Sequence, residues 1–150
     1  MADLAPEFYN RMINDETLQD LLADYEFDTG ETTDQVPAVY QIWGQRSHFP
    51  YTIFSLRAVP SNHWNKQKFY LELDHFDIGE STATIKDIMR RVKNMFHKLK
   101  ICDADGFTVT DIELETQDPA PTEEEGVIHF EQVFEVWAWD KQFVEESENV

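Results

Sequence analysis

The residue types that most often perform chemistry are few in this chain and widely spaced. Its five histidines stand at positions 48, 63, 75, 97 and 129, and no two have the i, i+4 spacing of a helical metal site. His75 and His129 fall in predicted strands, where they could approach one another across a sheet. We interpret them as strand-surface residues without a catalytic or metal-binding role.

Three further groups contain candidate ligands or nucleophiles. The segment DADG at 103–106 begins like a calcium loop, but the later ligands are out of register, which favours a turn. Glu72 and Asp74 lie on one face of a predicted strand and could act as an acid–base pair. Paired acids are common on the wetter face of a strand in so acidic a protein. Cys102 would need a nearby base and an electropositive setting to act as a nucleophile. Lys98 and Lys100 supply some positive charge, but a structural or incidental thiol is favoured.

Motifs that bind cofactors are missing from the sequence. It contains no glycine-rich phosphate loop, no GxSxG elbow and no CxxC pair, and its five glycines leave little material for such loops. A single cysteine cannot form an intramolecular disulfide, which is typical of a reducing compartment. We therefore predict a protein that is not an enzyme and needs no cofactor and no metal.

The charge balance restricts the partners. Thirty acidic residues against twelve basic ones give a formal net charge of −18. The average field repels phosphate and anionic lipid, which disfavours ordinary binding to DNA, RNA or a membrane surface. No stretch approaches the ~18 apolar residues of a membrane span, and the N-terminus lacks a basic region followed by an apolar run. These features predict a cytosolic, unprocessed protein.

Length and composition predict one folded α+β domain. The chain has 150 residues, of which 41% are hydrophobic and 13% aromatic, and this is enough for one core. We assign residues 1–140 to this domain. Residues 141–150 lose all periodicity and are predicted to form an acidic, solvated tail.

Two helices are predicted. The first spans 14–25 with Asn14 as its N-cap, and the second spans 81–100 with Ser81 or Thr82 as its cap. Apolar residues recur at i, i+3, i+4 and i+7 in the second helix. They are Ile85, Ile88, Met89, Val92, Met95, Phe96 and Leu99.

The predicted strands cover residues 39–43, 51–58, 67–76, 107–115 and 127–139. Short connections indicate antiparallel neighbours. The order is α-β-β-β-α-β-β, which predicts an antiparallel or mixed sheet of about five strands with two helices packed on one face. Residues 27–35 are predicted to be an exposed loop and residues 116–126 a hairpin loop.

Basic residues are concentrated in the second helix. Six of the twelve lie there, whereas residues 111–150 contain thirteen acids and only Lys141 as a base. Such segregation suits head-to-tail contacts between copies of one chain, and an ordinary solvated helix face explains it equally well. The six residues are Lys86, Arg90, Arg91, Lys93, Lys98 and Lys100.

The last predicted strand has apolar residues on both faces. Trp137 and Trp139 share one face, opposite Phe134 and Val136. If the helices cover one face of the sheet only, the tryptophans remain as a surface for a partner. The alternative is that the tail 141–150 folds back over them.

Five segments resemble the tail terminator, or tail completion, proteins of phages with long non-contractile tails. In order they are a leading helix (NDETLQDLLADYEF), a run ending in PYTIFSLRAV, a strand with FYLELDHFD, the amphipathic helix TIKDIMRRVKNMF and a hairpin ending in FEQVFEVWAWD. The resemblance covers residues 14–140 and depends on the order of these segments. It includes no catalytic signature that could be transferred to this chain.

This resemblance implies an α/β sandwich subunit that forms a hexameric ring and stops polymerisation of the tail tube at its head-proximal end. The ring would offer a surface to the head connector or stopper protein at the head–tail junction of the virion, after assembly in the host cytoplasm. DNA would pass through an acidic lumen without specific binding. We expect subunit contacts at Lys86, Arg90 and Lys93, facing an acidic neighbour.

Contacts with the tail tube or connector are expected in the loops 44–50, 59–66 and 117–126. The candidate residues are Arg46, His48, Trp64, Lys66, Asp118, Glu123, Glu124 and Glu125. Trp64 is the expected anchor among them, because an exposed loop tryptophan is favoured at interaction hot spots. Packing of Trp64 on its own hairpin is the simpler alternative.

Two other classes fit the sequence. One is a head-closure or connector protein, or another minor tail protein, of the same kind of virion. The other is a monomeric or dimeric acidic module that imitates DNA and occupies a basic partner, since thirty acids on one small domain resemble a phosphate surface.

Overall fold

The fold consists of one main sheet with helices packed on one face. The computed structural model describes residues 4–28, 33–37, 39–41, 49–60, 66–101, 108–122 and 124–140. The helices are α1 (Ala5–Ile13), α2 (Glu16–Leu21) and α3 (Ala83–Phe96). The strands are β1 (Asp24–Asp28), β2 (Thr33–Pro37), β3 (Val39–Gln41), β4 (Tyr51–Val59), β5 (Lys66–Ile78), β6 (Thr108–Pro119) and β7 (Val127–Asp140).

The main sheet has five strands in the order β3-β4-β5-β7-β6. The β4–β5, β5–β7 and β6–β7 pairs are antiparallel, and β3 runs parallel to β4. β1 and β2 form a separate antiparallel pair. This arrangement confirms the predicted α+β class with a mixed sheet of about five strands.

The parallel β3–β4 pair corrects the expectation that short connections make neighbours antiparallel. Val39 lies beside Thr52 and Gln41 beside Phe54, in a parallel register. The connection between the two strands, residues 42–50, is longer than a tight hairpin turn. The chain can therefore return to the starting end of the neighbouring strand before β4 begins.

The predicted first helix, 14–25, is wrong at both ends. An earlier helix, α1, ends at Ile13 with Asn14 as its C-cap. α2 begins after Asp15, whose carboxylate caps it by accepting the N–H of Leu18 at 3.0 Å. α2 ends at Leu21 because Leu22 is already extended. Pro6 suits the first turn of α1, where a missing N–H leaves no helical bond unmade.

The predicted loop 27–35 is also wrong. Asp24–Asp28 and Thr33–Pro37 pair as strands, with Tyr25 opposite Val36 and Phe27 opposite Asp34. The second predicted loop, 116–126, is shorter than expected, because β6 continues through a bulge after Leu114 to Pro119. The remaining turn joins β6 to its antiparallel partner β7 at one end of the sheet.

α3 is shorter than its prediction and is fixed at its C-terminal end. It stops at Phe96, and His97 Nδ1 accepts the N–H of Leu114 at 2.9 Å. The N–H of Lys98, which has a φ of +64°, donates to the carbonyl of Ile112 at 2.6 Å. Both bonds attach the end of the helix to the backbone of β6, and they help to define the direction of α3 relative to the sheet.

The core lies between the helices and one face of the sheet. α3 contributes a stripe of buried residues, and edge-to-face contacts join Phe8, Phe96 and Phe134 from α1, α3 and β7. The largest side chains with less than 2% exposure are Phe8, Phe54, Phe96, Phe134, Met12, Leu18, Leu71, Leu73, Ile85, Ile88, Ile112 and His75.

One ion pair connects α2 to α3. The guanidinium of Arg91 donates to both oxygens of Asp15, at 2.9 and 2.5 Å. This bond is the main reason that the pKa of the Asp15 carboxyl is lowered. Asp15 therefore has two roles, since it also caps α2.

Candidate interaction surfaces

The exposed side of α3 is positively charged. Lys86, Arg90 and Lys93, which we call the cationic face, are all exposed, because the buried stripe of the helix points the other way. Arg90 approaches Asp87 at 3.4 Å, an exposed pair of little energetic weight. Lys86 and Lys93 contact no anion in the described part of the chain.

Arg91 does not belong to this surface, although the sequence groups it with the other basic residues of the helix. Its side chain turns towards α2 to bind Asp15 and is half-buried. The sequence signal that distinguishes it is helical phase, since Arg91 lies between the buried Ile88 and Val92 stripe and the exposed side.

The predicted tube or connector residues fall into two groups. Arg46, His48, Trp64 and Glu123 lie outside the described residues. Four others have defined positions. Asp118 is exposed in β6, Glu124 and Glu125 are exposed in the β6–β7 turn, and Lys66 begins β5.

The face of the sheet opposite the helices has a row of cations and aromatic rings. Lys66 Nζ lies 4.3 Å from the ring centre of Trp137 and 4.9 Å from that of Trp139. Arg57 and Lys68 each lie 5.2 Å from the ring centre of Tyr70. These residues are brought together by the β4–β5–β7 register.

The side chains of this outer face also contact one another. The indole N–H of Trp137 donates to Glu135 at 2.5 Å, and Lys68 approaches the other Glu135 oxygen at 3.5 Å. The two tryptophans are half-buried, whereas Phe134 and Val136 on the opposite face are fully buried. The prediction that the tryptophans lie opposite these core residues is confirmed.

Glu72 and Asp74, the candidate acid–base pair, lie on the same face of β5 but bind different partners. Glu72 accepts from Arg57 at 3.0 Å, and Asp74 accepts from His129 at 2.7 Å. Each carboxylate is thus bound by a different cation or ring. The two groups do not combine into one proton-transfer site.

His75 and His129 lie on opposite faces of the sheet, so the expectation that they could approach one another is wrong. Phe76 pairs with His129 across β5 and β7. Successive residues of a strand point to opposite faces of the sheet, so His75 lies on the helix side. His75 is fully buried, in contrast to its interpretation as a strand-surface residue. The sequence signal was Leu71 and Leu73, whose buried face His75 continues.

A buried chain of hydrogen bonds fixes the protonation of His75. Gln132 Nε2 donates to the carbonyl of Met89 at 2.9 Å and to Gln117 Oε1 at 3.2 Å, so its own Oε1 is an acceptor. His75 Nε2–H therefore donates to Gln132 at 2.9 Å, and Thr52 donates to His75 Nδ1 at 2.8 Å. The imidazole is neutral, and burial lowers its pKa to about 4.

Replacing Gln132 by leucine is expected to lower the free energy of unfolding by about 1–3 kcal/mol, because the buried N–H of His75 would lose its acceptor. Leucine fills a similar volume, so the loss of stability would come from the unpaired polar groups and not from a cavity. Chemical denaturation would measure it. Gln117→Leu is the matched control and is expected to change little, because Gln117 is exposed. Equal losses in both variants would contradict the assignment.

His129 connects the β6–β7 turn to β5 on the outer face. Its Nε2 contacts Asp74 at 2.7 Å and its Nδ1 contacts the carbonyl of Pro121 at 3.0 Å. Both ring nitrogens face oxygen acceptors, which favours the doubly protonated ring, and the Asp74 hydrogen bond raises the pKa of His129. The ring stacks on Phe76 with 4.2 Å between centroids.

Groups for metal binding or membrane insertion are not found in the described part of the chain. No cluster of three or more His, Cys, Asp or Glu residues among the described residues is placed to hold a metal ion. No described helix is long and apolar enough to cross a membrane. Cys102 and the DADG segment lie outside the described residues.

Comparisons with known proteins give matches in structure only. No protein-family model matches the chain, and no curated protein matches its sequence. Thirteen solved chains match its structure. One, from the virion of a native gene transfer agent particle, is 14% identical with a TM-score of 0.62, and the match covers 88% of this chain and 91% of that chain. Another, without a functional name, is 7% identical with a TM-score of 0.55 and covers 91% and 96%. At these identities the matches show a shared fold.

Proposed function

We propose that this chain is a structural protein of a phage-like virion. The observation that supports this most is the match to a chain of a gene transfer agent virion, which extends over 88% of one chain and 91% of the other. Because the match extends over most of both chains, the two proteins share an overall architecture and not only a motif. Because a fold can serve several functions, the proposal needs a direct test of assembly.

Within the virion, we propose that the chain forms a ring, six subunits being the expected number, which caps the tail tube and ends its polymerisation. The ring would also provide the surface for joining to the head connector or stopper protein. A net charge of −18 supports this role, because DNA must move through the lumen without being retained. The protein would act at the head–tail junction after assembling in the host cytoplasm.

The cationic face is the proposed subunit contact. Lys86 and Lys93 contact no anion among the described residues, in a chain that has 30 acids. An acidic surface of a neighbouring copy would supply the missing counter-charges. The β6–β7 turn is a proposed contact with the tube or connector, since Glu124 and Glu125 are exposed there.

The test is the native mass in solution by light scattering, at low and high salt over a wide concentration range. A six-fold mass, together with rings in negative-stain images, would support the terminator role. A ring that binds connector protein but leaves tube length unchanged would support a head-closure role instead. A strict monomer that binds a basic protein would contradict assembly and favour the acidic-module class.

Reversing two charges of the cationic face, Lys86→Glu with Arg90→Glu, is expected to weaken self-association roughly 10- to 100-fold, because like charges would then face each other. Sedimentation at low salt would measure it. The matched control is Arg11→Glu with Arg57→Glu, which changes the net charge equally but removes exposed pairs elsewhere. An unchanged oligomer in the first variant would rule out this contact.

A further inference from the structure

The cations of the described chain divide into paired and unpaired sets. Ten of the twelve basic residues are described, since Arg46 and Lys141 are not. Six contact an anion or a ring: Arg11, Arg57, Lys66, Lys68, Arg90 and Arg91. Four contact neither within the described residues, and all four lie on α3 or directly after it: Lys86, Lys93, Lys98 and Lys100.

The acidic residues show the opposite pattern at the edge of the sheet. Among the strands that the structure describes, β6 is the last in the sheet order and lies beside β7. From 108 to 127 the sequence has seven acids and no lysine or arginine. We call Glu113, Glu115 and Asp118 the acidic edge. All three are exposed, and none contacts a cation among the residues that the structure describes.

We propose that these two surfaces bind each other between copies, so that the cationic face of one subunit docks on the acidic edge of the next. This inference rests on the proposed self-assembly and names the surface that the cationic face meets. The observation that supports it is that Lys86 and Lys93 on one surface, and all three acids on the other, contact no opposite charge among the described residues.

The two surfaces lie on different layers of the subunit. The cationic face lies on the helix layer, and the acidic edge lies on the last strand of the sheet. A two-fold contact would have to hold both surfaces in one interface, with each cationic face against the acidic edge of the other copy. A head-to-tail contact needs one such pairing in each interface, and repeated head-to-tail contacts close into a ring when the rotation permits.

The dimensions of the two surfaces agree. Lys86 and Lys93 are seven residues apart, which is about 10 Å along a helix. Glu113 lies opposite Glu135 and Asp118 opposite Glu131, so the bulge leaves a separation of four strand residues, about 13 Å. Flexible lysine side chains span such differences, so several pairs can form together.

A charge-exchange experiment tests the pairing. One variant reverses the cationic face (Lys86→Glu with Lys93→Glu), and the other reverses the acidic edge (Glu113→Lys with Glu115→Lys). In each variant alone, like charges meet at every contact, so association should fall roughly 100-fold. In an equimolar mixture every contact between unlike variants is attractive. Native mass spectrometry should then show assemblies of wild-type size that contain equal numbers of both.

The controls separate this inference from the proposed function. Asp20→Lys with Glu80→Lys alters exposed acids elsewhere by the same charge and should leave assembly intact. If wild type assembles and the folded variants also assemble, or their mixture does not, the pairing is wrong while the ring proposal stands. If wild type is monomeric at every salt concentration, both are wrong.

Discussion

Replacing Phe96 by alanine is expected to lower the free energy of unfolding by about 3–5 kcal/mol. Phe96 is fully buried, and its ring meets Phe8 at 5.4 Å and Phe134 at 6.1 Å, both edge-on. It therefore joins α1, the last turn of α3 and β7. Removing the ring leaves a cavity between three elements that are each attached elsewhere, so the site cannot collapse fully.

Urea denaturation of wild type and variant would measure this loss. Met95→Ala on the same helix is the matched control, because Met95 is only half-buried, and its expected loss is smaller. Comparable losses in the two variants, or a loss below about 1 kcal/mol for Phe96→Ala, would contradict the central position of the ring. Loss of order at the end of α3 should also weaken assembly, since Lys93 lies one turn before Phe96.

The elements that the sequence predicts best are those whose own periodicity defines a buried face. α3 is recognisable because its apolar residues repeat at helical spacing, and the alternation of Phe69, Leu71 and Leu73 identifies β5. The same alternation reaches His75, whose burial could therefore have been predicted. The hydrogen-bond partners of His75 could not have been predicted. Thr52 and Gln132 come from two other strands, and they reach His75 only in the observed register of β4, β5 and β7.

The elements that were missed depend on distant residues. α1 is short, and its buried Phe8 is stabilised by Phe96, which lies 88 positions later in the chain. The β1–β2 pair has the composition of a loop, and its strands are defined by pairing with each other. Local propensity does not contain this information.

For the candidate surfaces too, the sequence predicts local exposure but not contacts between distant residues. Helical phase predicts that Lys86, Arg90 and Lys93 are exposed together, and they are. That Lys86 and Lys93 have no anionic partner among the described residues is a property of the whole fold. The same is true of the ion pair that draws Arg91 towards Asp15. The cation–aromatic row on the outer face likewise requires the register that sets Lys66 opposite Trp139.

The stability of the protein is expected to fall by about 3 kcal/mol as the pH is lowered from 6.5 to 4, because His75 is buried in its neutral form. Its pKa is about 4 in the folded protein against an ordinary value of 6.5. Between these values the unfolded chain binds a proton that the folded chain does not. The contribution of His75 is therefore complete above pH 6.5 and is lost as the pH falls towards 4.

The shifted pKa values of His129 and Asp15 do not reproduce this dependence. The raised pKa of His129 contributes stability that is complete below 6.5 and is lost only at higher pH. The lowered pKa of Asp15 contributes stability that is lost only below its ordinary 3.8. Approach to the isoelectric point near 4.4 reduces repulsion among the acids, which acts in the opposite direction.

Unfolding free energies measured at intervals between pH 7 and 4.5 would reveal the slope, and the NMR signals of the His75 ring would identify its source. His75→Gln should remove the slope whatever its effect on stability at neutral pH, whereas His129→Gln should retain it. A wild-type stability that is flat or rises over this range, or a His75 ring that titrates near 6.5, would show that the imidazole is accessible to protons. The hydrogen-bond chain from Thr52 to Gln132 would then not be the closed, neutral network that joins β4, β5 and β7 beneath α3.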